Sequence, residues 1–203
     1  MHRTFLVPIL VCAALAAGAS ARAEIIDRVL AVVDGALITQ SDVAGAIRLG
    51  LVTVPAAPDP VPGVLDALIE RRLILAEVDR YAPPDPADAE VEQAVDAIRA
   101  RLGPAELDAA LMQTGSSLDQ LRRYLRDELR VDSYLKQRFG SLQPSEADIA
   151  QYYRDHAAEF GQRTQPEAHD TILALLTTDR RQALVRDWVA GLRRRANVNI
   201  LPR

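Results

Sequence analysis

Sulfur, histidine and aromatic rings are scarce in this chain. Its one cysteine, Cys12, sits inside an apolar run near the start, and only 3 histidines and 4% aromatic residues are present. One cysteine makes no intramolecular disulfide, so the fold must hold by packing alone. His2, His156 and His169 are far apart in sequence, and no cluster has metal-ligand spacing. No glycine-rich phosphate loop occurs, so neither a metal, a nucleotide nor any other cofactor is expected. Basic surface is short as well: 24 Lys and Arg against 28 Asp and Glu give a formal charge of −4. Phosphate neutralisation wants the opposite balance, so nucleic acid is not an expected partner.

The start of the chain reads as a secretory signal over residues 1–23. Arg3 opens it, and residues 5–19 form an apolar run too short to span a bilayer comfortably. Ala21 and Ala23 supply the small residues at −3 and −1, which places cleavage before Glu24. A lipoprotein anchor is excluded because the residue before Cys12 is Val11 and not a small one. Nothing later in the chain has the character of a stop-transfer segment, so stable membrane insertion is not expected. Removal of Arg3 and Arg22 takes the formal charge from −4 to −6.

Beyond the signal, residues 25–33 read as a strand. Asp34-Gly35 and the run Ala36-Leu37-Ile38-Thr39 then complete a hairpin with a type I′ turn. Thr39 and Asp42 start a short helix over 40–49. Pro55, Pro58, Pro60 and Pro62 mark residues 51–63 as a loop. The helix predicted over 64–81 is apolar on most of its circumference and belongs at the centre of the domain. Asp85 and Pro86 predict the next helix start, with Val91, Val95, Ile98 and Leu102 on one face. A short helix over 105–113 carries Leu107, Leu111 and Met112 as ordinary core. Ser117 and Gln120 form a capping box for a long helix to Phe139, and Pro144-Ser145 with Asp148 opens another. Residues 161–177 read as a linker, the final helix as 179–195 and the last strand as 197–201. That strand, paired with the hairpin, would close the two chain ends into one small sheet, with Trp188 as the main anchor of the final helix.

Several ordered stretches resemble the SurA family of periplasmic chaperones. Ile26-Asp27-Arg28-Val29-Leu30-Ala31-Val32-Val33-Asp34-Gly35 and Ile38-Thr39-Gln40-Ser41-Asp42 look like its opening hairpin and first helix. Leu65 to Ile74 is similar to its central helix, and Gly115 to Arg122 to its long core helix. Tyr152-Tyr153 to Phe160 resembles the stretch that leads into the family's first isomerase domain. Trp188 to Arg193 with Ala196-Asn197-Val198 is similar to its end.

The resemblance implies a mainly α fold: a helical, SurA/trigger-factor-like peptide-binding core over 24–160, completed by residues 178–203. A parvulin-type isomerase domain needs about a hundred residues, and the interval between the matching halves is far shorter. His169-Asp170-Thr171-Ile172-Leu173 is similar only to the opening strand of such a domain. The implied function is ATP-independent binding of unfolded polypeptides, outer-membrane proteins in transit among them, in the periplasm. A reduced prolyl isomerase centred near His169 is the enzymatic alternative. An accessory subunit docking on the outer-membrane assembly machinery is the structural one.

Tyr152, Tyr153 and His156 share a helix face and are candidates to line a peptide-binding surface. The plainer reading is a satisfied histidine beside two half-buried aromatics. Ser117 reads as a cap with no histidine near it, and Glu70 and Glu77 as solvated ion-pair partners rather than a catalytic pair. Arg193-Arg194-Arg195 suits a helix C-terminus. No catalytic residue is assigned.

Overall fold

The computed structural model describes residues 27–140 and 143–202. The signal call, with Ala21, Ala23 and Glu24, lies outside them. The fold begins with β1 (Val29–Val33) and β2 (Ala36–Thr39), joined by a turn in which Asp34 and Gly35 have φ of 48° and 86°. That is the left-handed geometry a type I′ turn requires, and Asp tolerates it better than most side chains. Strand β3 (Val198–Ile200) pairs antiparallel with the other edge of β1, so the sheet order is β2-β1-β3. The register slips between Val29 and Ala31, placing a bulge at Leu30. With the alternation broken there, neighbouring Leu30 and Ala31 are both buried.

The chain ends are tied beyond the ladder. The Asp34 amide donates to the Asn197 carbonyl at 3.0 Å, and the Asn197 amide to Asp34 Oδ1 at 2.8 Å. The Leu201 amide reaches the Leu30 carbonyl at 2.9 Å. Val198 is half-buried, whereas Ile200 stays 50% exposed, so the last strand presents only its first apolar residue to the core.

Helix α1 (Gln40–Arg48) starts on the Thr39–Asp42 capping box. Helix α2 (Val61–Tyr81) begins three residues before the predicted start. Pro62 stands in its first turn, where a missing N–H costs nothing, and Asp59 accepts from the Val61 amide at 3.0 Å. As its apolar circumference requires, α2 touches β1, β2 and α1. Its other faces meet a long helix, α5 (Leu118–Phe139), and the last helix, α8 (Gln165–Arg195). Val64, Leu65, Leu68, Ile69 and Leu73 join Leu30, Val33, Ile38, Val43 and Leu192 in the first core.

A second core lies between α3 (Asp88–Leu102), α4 (Pro104–Gln113) and α5. It holds Val91, Val95, Ile98, Leu107, Leu111, Leu121 and Leu125. Helix α3 caps on Ala87, not Asp85, with Glu90 accepting from the Ala87 amide at 2.9 Å. Asp85 is drawn instead toward Arg130, at 3.4 Å. Met112 is 78% exposed and not core, because α4 turns only Leu107, Ala110 and Leu111 inward. Arg122, Arg126 and Arg130, one turn apart on α5, pair in antiparallel order with Glu92, Asp88 and Asp85.

The predicted linker over 161–177 is corrected: all but its first four residues lie in α8 (Gln165–Arg195), one helix of 31 residues. Thr164 caps it, Glu167 accepts from the Thr164 amide at 2.7 Å, and Pro166 occupies the first turn. The segment is polar because only one narrow side is covered, by Ala168 and Ile172 one turn apart. His169 to Leu173 is therefore helical, not the strand that a parvulin opening would supply. Helix α6 (Glu146–Asp155) and the single turn α7 (Ala157–Phe160) fold back on this half of α8. Ile149, Phe160, Ala168 and Ile172 make a third, smaller core there.

Trp188 is half-buried and shares its anchoring role. Its ring lies 5.9 Å from Tyr134 and 5.7 Å from Phe139, while Val189 and Leu192 sit deeper. We predict that Leu192→Ala costs about 2–5 kcal/mol and Trp188→Ala about 2 kcal/mol, less than a fully buried tryptophan. Urea unfolding followed by circular dichroism measures both. Midpoints unchanged from the parent would show that α8 does not belong to the core.

Candidate functional site

The hairpin fixes which residues face outward. With Ile38 buried, its neighbour Leu37 must point away from the first core, and it is 53% exposed. An outward leucine on an edge strand is a surface feature that solvation alone does not explain. It borders a groove of about 270 Å³ between β2–α1 on one side, α2 beneath, and α4–α5 opposite. The apolar lining comes from Leu37, Ile38, Leu49, Leu68, Leu111 and Leu121. One wall is held by Arg101, which donates to the Leu49 carbonyl at 2.6 Å and so ties the end of α1 to α3.

Charge on the groove comes from Asp42, Arg71 and Arg72. Asp42 is committed to the α1 cap, accepting from the Thr39 amide at 2.8 Å. Arg71 is committed too. Its guanidinium lies 3.8 Å from the centre of the Tyr124 ring, donates to the Tyr124 carbonyl at 3.1 Å, and pairs with Glu128. Burial pushes the Tyr124 hydroxyl up to about 12, with Arg71 pulling the other way. That group is neutral at any working pH. Arg72 is exposed and has no ion pair or hydrogen bond among the described residues.

The residues singled out from sequence sit elsewhere. Tyr152, Tyr153 and His156 belong to α6 and its C-terminal cap, on the third core. Tyr153 donates to the Arg163 carbonyl at 2.7 Å, and its ring stacks 5.6 Å from Phe160. Tyr152 stacks on His156 at 3.9 Å and borders two shallow depressions. The groove residues were missed because apolar residues lining a cleft and apolar residues in a core look alike in sequence. Leu37 was the one available signal, being apolar at an outward hairpin position.

His169 bridges two helices. Nδ1 is 3.0 Å from Asp170, and Nε2 is 3.2 Å from both Glu146 carboxylate oxygens at the start of α6. Among the described residues no group of His, Cys, Asp or Glu could hold a metal ion, and no helix is long and apolar enough to cross a membrane.

No family model matches the chain. Curated proteins do. The chaperone SurA of Bordetella avium is 30% identical over 145 residues, covering 66% of this chain and 28% of that protein. SurA of Bordetella pertussis is 29% identical over 143 residues (65% and 27%), and SurA of Pseudomonas fluorescens 28% over 147 residues (68% and 34%). The fold matches a solved chain from work on PEB4 and Cj1289, two SurA-like chaperones of Campylobacter jejuni. The TM-score is 0.55 at 12% identity, covering 87% of this chain and all of that one. The chain is SurA-like in sequence and in fold. It spans between about a quarter and a third of the length of the curated SurA relatives it matches.

Asp170 first, and Glu146 behind it, hold the His169 imidazole above its ordinary value. A raised folded pKa stabilises the protonated form. The contribution to the α6–α8 pairing is therefore complete below the unfolded pKa of about 6.5 and fades as pH rises through the folded value. We predict that amide protection factors in α6, corrected for the intrinsic pH dependence of exchange, fall between the two regimes, and that His169→Gln abolishes this fall. A pH dependence unchanged in the variant would assign it to another group.

Proposed function

We propose that the chain is an ATP-independent periplasmic chaperone that holds apolar segments of unfolded polypeptides, with outer-membrane proteins in transit as the natural class. The observation that carries this reading is the apolar groove between β2–α1 and α4–α5, open beside exposed Leu37. The likeness of the chain to SurA chaperones supports the same conclusion. No nucleotide chemistry is invoked. An unfolded client gains by burying an apolar side chain among Leu49, Leu68 and Leu121. The contact is small, so it reverses readily once the client can bury the same side chain in its own core. Tyr152, between its two depressions, is proposed as a second and weaker contact for the same polypeptide.

The division of labour follows. Residues 24–160 together with α8 and β3 act as the chaperone. Only four residues, 161–164, separate α7 from α8, which leaves no room for an isomerase domain at that point. We expect no prolyl isomerase activity in a protease-coupled assay on a proline tetrapeptide. Turnover that is lost in His169→Ala would overturn this.

Aggregation is the direct test of holding. Dilution of a denatured outer-membrane β-barrel protein should scatter less light in the presence of the chain. Leu37→Glu should weaken the protection while leaving the circular dichroism spectrum unchanged, since Leu37 is exposed. Equal scattering with and without the chain would sink the reading.

A further inference from the structure

The groove carries a charge preference, and the inference rests on the reading that polypeptide segments bind there. Of its three charged residues, Asp42 and Arg71 already have close partners inside the protein. Arg71 is balanced by Glu128, and the Asp42 carboxylate is turned onto the Thr39 amide and hydroxyl at the start of α1. Arg72 is the exception, exposed and without an ion pair among the described residues. It sits on α2 immediately after Arg71 and lines the groove together with Leu68 and Leu121. The chain as a whole has the opposite sign, with a formal charge of −4. A carboxylate entering the groove beside Arg72 is attracted there.

We propose that the preferred occupant is an apolar polypeptide segment flanked by a carboxylate, with its apolar side chain against Leu68 and Leu121 and its carboxylate at Arg72. Arginine suits the role because its planar fork can grip a carboxylate with two parallel hydrogen bonds. Leu37 then covers the segment from the β2 side.

Fluorescence anisotropy on the full chain, at low salt, tests this with three labelled peptides. They share one apolar centre and differ only in a flanking Asp, Asn or Lys. The Asp peptide should bind roughly fivefold tighter than the Asn peptide, near the upper end for an exposed ion pair, and the Lys peptide weakest. Arg72→Gln should erase the order and Arg72→Glu should reverse it. Arg123→Glu, an exposed change on α5 that does not line the groove, should leave the order intact. Equal binding of the three peptides, or an order that survives Arg72→Glu, overturns the charge preference and leaves the groove reading standing. Failure of all three peptides to bind the parent chain overturns the groove reading itself.

Discussion

Strand β1 has only five residues, and almost everything else is positioned by it. Both of its edges are taken, one by its hairpin partner and one by a strand from the far end of the chain. A two-stranded hairpin is marginal in water. The third strand, with the reciprocal Asp34–Asn197 bonds, makes the sheet a closed device that exists only when both ends are present. The bulge at Leu30 then lets consecutive residues face the core, so a very short strand contributes Leu30, Ala31 and Val33 to it. Because β3 is covalently continued from α8, closing the sheet also seats Leu192 among the α2 residues of the first core. Arg193 adds a bond to Asp66 at 2.8 Å.

The groove depends on that closure at one remove. Its near wall is β2, the free edge of the sheet, and its floor is α2. Its far wall is α5, which needs a separate reason to stand where it does. The antiparallel ladder of Arg122, Arg126 and Arg130 against Glu92, Asp88 and Asp85 fixes the register of α5 on α3. Exposed ion pairs of this kind contribute little each. Their use is in alignment, since a slip by one turn would misplace every pair together. Arg71 completes the arrangement by joining α2 to α5 through Tyr124 and Glu128. The far wall of the groove is thus tied to its floor by Arg71 and to α3 by the arginine ladder.

Local signals in the sequence were legible wherever one residue type has one physical use. Asp34-Gly35, Thr39 with Asp42, and Ser117 with Gln120 each mark a boundary that the structure keeps. Legibility failed where a helix changes partners along its length. Leu121 and Leu125 of α5 face the second core, but Tyr134, nine residues beyond Leu125 and half a turn around the helix, is buried against the Trp188 side. A single apolar stripe therefore does not describe the helix, and Tyr134 was not expected to be core. The same applies to α8, whose first half serves the third core and whose second half serves the first. Its capping signal, Thr164 with Glu167 and Pro166 in the first turn, was available in the sequence. It was outweighed by polar composition, which in a helix covered on one narrow side is the normal state.

Helix α8 also decides how the third core relates to the rest. At 1.5 Å per residue its 31 residues extend about 45 Å, longer than most elements of a domain this size. Thr177 and Thr178 near its middle turn their hydroxyls back onto the carbonyls of Leu173 and Ala174, at 2.6 and 2.9 Å, so two poor helix formers are accommodated without a break. One unbroken helix spanning both cores transmits orientation without needing a broad interface between them. The small lobe of α6 and α7 is then held to α8 by Ile149 and Phe160 and by the bridge from His169 to Glu146. Loosening that bridge would weaken the hold of the lobe on α8, where Ile149, Phe160 and the Arg180–Asp148 pair remain, and would leave the sheet and the groove intact, because no residue of the third core lines the groove beside Leu37.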